Sequence, residues 1–116
     1  MNYWIGIDMG TTATKAVLYT DSGTAVATQS IAYELYREPS GMAEEAPEDI
    51  FDAVVGTIRA LSEKLTAADN LCAIGFSAQQ HSLIAASSDF KPLTRVMTWA
   101  DTRANAAATA LRNSDQ

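Results

Sequence analysis

The chain has 116 residues, of which 47% are hydrophobic and 19% are charged. That composition is typical of one globular domain and excludes a disordered or collagen-like protein. The net charge of −6 argues against the basic surface with which proteins bind nucleic acid or anionic membranes.

Cysteine and histidine are too scarce for a disulfide or a structural zinc site, because the chain has one of each. Cys72 lies in an apolar run, where we expect it to be a small core residue. The first residues lack the basic and apolar segments of a secretory signal, and no apolar run reaches the about 20 residues that a membrane span needs. These features predict a cytoplasmic protein.

Three β-strands with short connections are predicted at the start of the chain. Residues 3–8 are apolar and β-prone, and Gly10 follows them. Residues 14–20 and 24–32 predict two more strands, with the turn signal Asp-Ser-Gly at 21–23 between them. Short connections favour an antiparallel meander.

A long amphipathic helix is predicted after a loop. Residues 33–46 contain proline and glycine and mixed polarity, which indicates a loop. Pro47 suits the first position of a helix, and the two carboxylates that follow it favour the positive end of the helix dipole. Apolar residues then recur at helical spacing, so we predict a helix over residues 47–66 that packs on a sheet.

The rest of the chain predicts further strands and a second helix. Residues 71–76 are continuously apolar, as in a strand that is covered on both faces and lies beside the first strand. Residues 82–86 and 95–98 predict short strands, and the alanine-rich residues 101–112 predict a helix that Asp101 caps. The fold class is therefore α/β, a mixed sheet with helices packed on it.

The connection after the first strand has the residues of a phosphate-binding turn. Asp8 ends a buried strand, and Gly10 allows a backbone to approach a ligand closely. Thr11 and Thr12 offer hydroxyl and N–H groups to a phosphate, Lys15 adds a positive charge, and a carboxylate can hold Mg²⁺ through its waters. The alternative is a tight turn in which the threonines serve β-propensity alone.

A second group of polar residues, Gln79, Gln80 and His81, follows the predicted strand 71–76. Ligands bind at the carboxyl ends of strands in open α/β sheets. These three side chains offer donors and acceptors for hydroxyl groups. The alternative is a lone histidine packed in a turn.

A third group consists of Trp99, Asp101 and Arg103. The indole gives a flat apolar face for a carbohydrate, the carboxylate accepts hydrogen bonds from hydroxyls, and the guanidinium donates a rigid fork to oxygens. The alternative is a helix start, with Trp99 in the core and Asp101 as the cap.

In this order, the three groups resemble the FGGY family of carbohydrate kinases, and the resemblance covers essentially the whole chain. In that family a phosphate hairpin precedes a Gln-x-His-like turn and then a Trp-x-Asp-x-Arg turn. The resemblance implies an RNase H-like, actin-like ATPase fold that is incomplete here, with ATP and Mg²⁺ as cofactors and Asp8 beside the metal. It also implies that the phosphates meet Asp8, Gly10, Thr11, Thr12 and Lys15, and that the sugar meets Gln80, His81, Trp99, Asp101 and Arg103.

Within the family, the two later turns are most similar to those of gluconate kinases. Xylulose kinases come second in similarity. Glycerol kinases carry Arg-Glu where this chain has Gln80 and His81. Gluconate is an anion, so a chain of net charge −6 needs local cations to bind it. The candidates in the site are Arg103, His81 and Lys15.

The resemblance also implies that parts of the kinase lie elsewhere. FGGY kinases take their catalytic base from an aspartate far downstream and their adenine contacts from a C-terminal domain. Residues 1–116 are therefore expected to be the N-terminal part of the first domain, with no catalytic residue and no turnover in isolation. The alternative classes of function are a stand-alone phosphate- or sugar-binding module and an actin-like structural protein. The sequence does not determine the oligomeric state, and a homodimer is one of the options.

Overall fold

Three antiparallel strands begin the chain, which confirms the predicted meander. The computed structural model describes residues 1–114, in which β1 (Asn2–Met9) pairs with β2 (Ala13–Thr20) and β2 pairs with β3 (Ala25–Ala32). Alternate side chains along β1 and β2 are buried, as the period of two in a pleated strand requires. The buried set gives this sheet one apolar face and leaves Asp8 and Lys15 on the other.

A small hairpin replaces the loop predicted over residues 33–46. The strands β4 (Leu35–Arg37) and β5 (Ala43–Glu45) pair antiparallel. Gly41 lies in the turn between them with a φ of 92°, a left-handed conformation that favours glycine. The hairpin was not predicted because its strands are short and because β5 buries a glutamate, Glu45, together with the small Ala43.

The helix α1 (Pro47–Ser62) covers the apolar face of the sheet, packing mainly on β2 and β3. Pro47 stands in the first turn and Ala46 provides no side-chain cap, in agreement with the sequence. The helix ends four residues before the predicted position 66, where the N–H of Glu63 bonds to the carbonyl of Arg59. Leu61 is fully buried in a core with residues of β1 and β2, namely Ile5, Ile7, Ala16 and Leu18.

The strand β6 (Asn70–Ala78) runs parallel to β1, and the strand order within the described residues is β3-β2-β1-β6. The prediction that this strand is covered on both faces is wrong, because β6 is an edge strand and α1 packs over β2 and β3. Cys72 is therefore exposed instead of being a core residue, and the Phe76 side chain is 60% exposed.

The last elements are shorter than predicted. Residues 82–86 form no strand and make only isolated bridges, Leu83 with Met97 and Ala86 with Pro92, whereas β7 (Val96–Met97) pairs with β5. The helix α2 (Asn105–Asn113) begins four residues after the predicted start at Asp101. Asp101 does not cap it, because its carboxylate accepts hydrogen bonds from other groups described below.

Neither of the helices within residues 1–114 is long and apolar enough to cross a membrane.

Candidate functional site

The connection between β1 and β2 is a tight turn that Tyr33 stabilises through two hydrogen bonds. The Gly10 N–H donates to the carbonyl of Ala13 at 3.0 Å. A Cβ at position 10 would lie 3.1 Å from that same oxygen, and glycine avoids this tight contact because it has no Cβ. Tyr33 donates its hydroxyl to the Gly10 carbonyl at 2.6 Å and its N–H to the Thr12 carbonyl at 3.1 Å. Two carbonyls of the turn are thereby occupied, which favours anion binding by its remaining groups.

Asp8 and Lys15 lie opposite each other on β1 and β2. Both are exposed and line a cleft of about 480 Å³, with Phe76 and Ser77 of β6 on its other side. The cleft is on the sheet face away from α1, because Asp8 alternates with the buried Ile7 along β1. A carboxylate and an ammonium group are thus placed next to the phosphate turn.

The parallel pairing of β1 and β6 brings the second polar group to the phosphate turn. Asp8 is opposite Ser77, Met9 is opposite Ala78, and the N–H of Gln79 donates to the Met9 carbonyl at 3.0 Å. Residues that follow β6 must therefore begin beside the residues that follow β1. Parallel strands that pair end at the same edge of a sheet. The residue-by-residue register of that pairing could not be predicted from spacing along the sequence.

Gln80 and His81 are exposed in the turn after Gln79, and His81 has a φ of 59°. Two backbone hydrogen bonds between Leu83 and Met97, of 2.9 and 2.8 Å, hold this turn beside β7. His81 is therefore not a packed core histidine. Within the described residues, neither Gln80 nor His81 makes a side-chain hydrogen bond to the other two groups.

Trp99 joins the third group to the phosphate turn directly. Its Nε1–H donates to Thr11 Oγ1 at 3.0 Å, although the two residues are 88 positions apart in the chain. The Trp99 side chain is 61% exposed, so the alternative that placed it in the core is wrong. An exposed indole that is fixed at its nitrogen presents its ring face to a ligand.

Gln79 connects the phosphate turn to a buried carboxylate. Its Nε2 donates to Glu45 Oε2 at 2.6 Å, and its Oε1 accepts from Thr11 Oγ1 at 3.4 Å. The Glu45 residue is 0% exposed, and this burial raises the pKa of its carboxyl group above the ordinary value, against the smaller lowering effect of the bond from Gln79.

The turn that contains Asp101 is held by an ion pair and by the β4–β5 hairpin. Arg103 donates from Nε and Nη2 to the Asp101 carboxylate and from Nη2 to Glu44 Oε1. The N–H of Ala43 also donates to Asp101 Oδ2, at 3.1 Å. The bonds from Arg103 hold the pKa of Asp101 well below its usual range, so the carboxylate stays ionised.

Three residues of the site were missed in the sequence. Tyr33, Glu44 and Glu45 all lie in the segment that was predicted to be a loop. A Glu-Glu pair just before a helix normally indicates a solvated first turn, and no local pattern marks Glu45 as buried. Only the pairing of β5 with β7 reveals its place.

The residues of the turn fit the Mg²⁺ and nucleotide phosphates that the resemblance implies. Residues 1–114 contain no cluster of three or more His, Cys, Asp or Glu that could enclose a metal ion. Mg²⁺ does not require one, since it usually binds through one or two carboxylates together with phosphates and waters. The exposed Asp8 beside a glycine-threonine turn meets that requirement.

Comparisons with known proteins identify the family of the chain. Residues 3–116 match the model of the FGGY family of carbohydrate kinases, N-terminal domain. A gluconokinase of Bacillus subtilis (strain 168) is 44% identical over 102 residues, which are 88% of this chain and 20% of that protein. The chain thus spans about a fifth of the length of the curated relatives that it matches.

Solved structures show the same likeness. The gluconate kinase from Lactobacillus acidophilus is 46% identical with a TM-score of 0.91, and the aligned region covers 97% of this chain and 22% of that kinase. The xylulose kinase from the same organism, solved with a bound ligand, is 45% identical with a TM-score of 0.91. The aligned region covers 97% of this chain and 23% of that kinase. These likenesses confirm the α/β, actin-like ATPase fold class, of which this chain forms a part.

Proposed function

The chain belongs to the FGGY family of carbohydrate kinases, and we propose that the protein carrying it transfers a phosphoryl group from ATP to a hydroxyl group of a sugar or sugar acid. The observation that carries this proposal is the hydrogen bond from Trp99 to Thr11. It connects a turn suited to phosphates with a turn suited to carbohydrate. A kinase needs both within one cleft, because phosphoryl transfer depends mainly on positioning and charge neutralisation.

The phosphate side of the proposed site consists of the turn over residues 10–12 together with Asp8 and Lys15, which line the cleft beside that turn. Thr11 and Thr12 offer hydroxyl and N–H donors, and Lys15 offers a positive charge to the phosphates. Asp8 is the residue that would hold Mg²⁺, which supplies neutralisation of the phosphate charge when it is bound. Tyr33 keeps the carbonyls of the turn directed away from the anion.

The carbohydrate side consists of Trp99, Asp101, Gln80 and His81. The ring of Trp99 provides the apolar face for the carbon chain, and the ionised Asp101 accepts hydrogen bonds from hydroxyls. Arg103 fixes Asp101 through two donor atoms, which limits the directions from which a hydroxyl can approach it.

Gluconate is the substrate that we propose, with xylulose or another pentulose as the second candidate. The gluconokinase of Bacillus subtilis and the gluconate kinase of Lactobacillus acidophilus support gluconate, and the xylulose kinase supports the alternative almost equally. The single positive charge of Arg103 is shared by the carboxylates of Asp101 and Glu44, so it weakens the repulsion that these two groups exert on an anionic substrate without cancelling it.

The general base and the adenine contacts are proposed to lie outside these residues, in the rest of the first domain and in a C-terminal domain. Purified residues 1–116 with Mg-ATP should then form no sugar phosphate. Sugar phosphate above background would contradict this part of the proposal.

The test is a phosphorylation screen of the intact protein against gluconate, xylulose, ribulose and glycerol, with kcat/KM measured for each. We expect the highest value for gluconate. Arg103→Ala should raise KM more for gluconate than for xylulose, because it leaves Asp101 and Glu44 uncompensated beside an anion. Arg112→Ala, on the exposed helix α2, is the matched control. No transfer to any of the four acceptors would overturn the kinase proposal.

A further inference from the structure

Glu45 is a buried titratable residue that the proposed chemistry does not use. Its residue is 0% exposed, and its Oε1 has no hydrogen-bond partner among the described residues. A buried carboxylate that is only half satisfied contributes less to stability than an apolar side chain of the same size. Its place in hydrogen-bond contact with Gln79 therefore needs another explanation.

The hydrogen bonds that start at Glu45 run in one direction through the site. Gln79 donates from its NH₂ group to Glu45 Oε2, and its carbonyl oxygen accepts from the hydroxyl of Thr11. Thr11 then donates its single hydroxyl proton to Gln79 and has its oxygen lone pairs left for Trp99. The indole only donates, and it completes the sequence.

We call the three hydrogen bonds that connect Glu45, Gln79, Thr11 and Trp99 the relay. Each bond in the relay fixes the orientation of the next side chain. Gln79 could otherwise turn its amide group over, because its nitrogen and oxygen ends have the same shape. Reversal would place an NH₂ donor against Thr11, and the threonine hydroxyl would have to accept from it. The hydroxyl would then accept from both Gln79 and Trp99, and its own proton would lose the acceptor that Gln79 Oε1 provides. The carboxylate of Glu45 opposes that arrangement.

We propose that Glu45 is a positioning residue which, through Gln79, fixes the hydroxyl of Thr11 and thereby the indole of Trp99 against the phosphate turn. This inference rests on the proposed function and assigns a role within the same site. The relay joins the surface that faces the phosphates to the surface that faces the carbohydrate. Neither Glu45 nor Gln79 needs to touch either substrate for this role.

The first test uses the intact protein labelled with 5-fluorotryptophan. The ¹⁹F resonance of residue 99 is assigned by its loss in Trp99→Phe. We expect Glu45→Met to shift this resonance, because Gln79 loses its acceptor, and Glu45→Gln to leave it in place, because an amide oxygen can still accept from Gln79. Gln79→Met provides a second interruption of the relay should Glu45→Met fail to fold, and it should shift the same resonance.

The second test is a double-mutant cycle on kcat/KM with gluconate. Glu45→Met should lower kcat/KM by about tenfold in the wild-type background and by less than about threefold in the Trp99→Phe background, since the link it controls is already broken there. Glu45→Gln should stay within about threefold of wild type. A side chain that only stabilises the fold would give the same loss in both backgrounds.

The results separate the two proposals. If wild type phosphorylates a sugar but the Glu45→Met resonance and kcat/KM equal those of wild type, the relay is overturned and the kinase proposal stands. Additive effects in the cycle, or equal losses in Glu45→Gln and Glu45→Met, would also overturn the relay. If wild type transfers no phosphoryl group, the proposed function fails, and the ¹⁹F shift still decides whether Glu45 positions Trp99.

Discussion

Trp99 and Gln79 are two of the side chains that join separate segments at the candidate site. Trp99 reaches the turn after β1 from the residues after β7, and Gln79 links that turn to β5. Both do so through hydrogen bonds whose donor and acceptor roles are set by chemistry, since the indole only donates and the carboxylate only accepts. The arrangement is specified by a few polar contacts at the edge of the sheet.

The role of Asp8 can be tested by removing its charge. Asp8→Asn in the intact protein should lower kcat by on the order of 100-fold, because the side chain keeps its size but loses the charge that attracts Mg²⁺. Circular dichroism should be unchanged, since Asp8 is exposed. Asp21→Asn, in the turn at the far end of β2, is the control and should match wild type. Near wild-type kcat in Asp8→Asn would exclude the metal-linked role.

Glu45 should give the protein a specific dependence of stability on pH. Its pKa is raised above 4.5 in the folded state by burial. The folded state then binds more protons than the unfolded state over the interval that opens near pH 4.5, so the free energy of unfolding falls as the pH rises through it. Urea unfolding at a series of pH values should show this fall in wild type and not in Glu45→Gln.

Asp101 has the opposite sign and a separate interval. Its pKa is lowered below 3.8, so its contribution to stability is present above that pH and is lost under more acidic conditions. The two groups can therefore be distinguished in one titration. Identical pH profiles for wild type and Glu45→Gln would contradict the assigned burial of Glu45.

Individual site residues differed in how well the sequence could predict them. Asp8, Thr11 and Trp99 could be selected as candidates because the glycine-threonine turn and the Trp-x-Asp-x-Arg pattern are local signals. Glu45 was not, because nothing in its neighbours along the chain indicates that a charged residue is buried. Asp101 was predicted in two roles, and the structure excludes that of a helix cap.

At the level of elements, the β4–β5 hairpin supports the turn around Asp101, which we propose to face the carbohydrate. Its backbone contacts the turn around Asp101 at several points, including the bond from the Thr102 N–H to the Gly41 carbonyl at 2.9 Å and that from the Thr98 N–H to the Ala43 carbonyl at 3.0 Å. The hairpin thereby fixes the turn before any substrate binds.

Gly41→Ala tests this support. A Cβ at Gly41 would collide with Thr102 Oγ1, and the residue has a φ of 92°. We expect a loss of about 1–3 kcal/mol in the free energy of unfolding and a rise of about tenfold in KM for the carbohydrate. Gly23→Ala is the control, since its φ is 79° but its Cβ would meet open space. It should destabilise the protein without changing KM, and an equal rise in KM for both variants would contradict the role of the hairpin.

Predictability of elements followed the strength of their periodic pattern. The meander and α1 have long apolar repeats and were predicted with small errors at their ends. Residues 82–86 are apolar, but their partners around residues 92 and 97 offer only isolated bridges, so no strand forms. The burial of β6 was predicted wrongly because an apolar run does not reveal what packs against it.

The whole molecule is elongated, with extents of 61 × 30 × 27 Å and a radius of gyration of 18.2 Å. A compact chain of this length has a radius of about 13 Å. Large apolar side chains such as Phe51, Phe76 and Phe90 are exposed. The fold brings its polar groups to one edge of the sheet while much apolar surface stays exposed, which suits a part of a larger protein.

The most direct measurement is a crystal structure of the intact protein with gluconate and a non-hydrolysable ATP analogue bound together. The terminal phosphate should lie over the Thr11–Thr12 turn, and gluconate should contact Trp99 and Asp101 within the same cleft. A carbohydrate bound away from Trp99, or nucleotide phosphates bound away from that turn, would contradict the assignment of one cleft for both substrates.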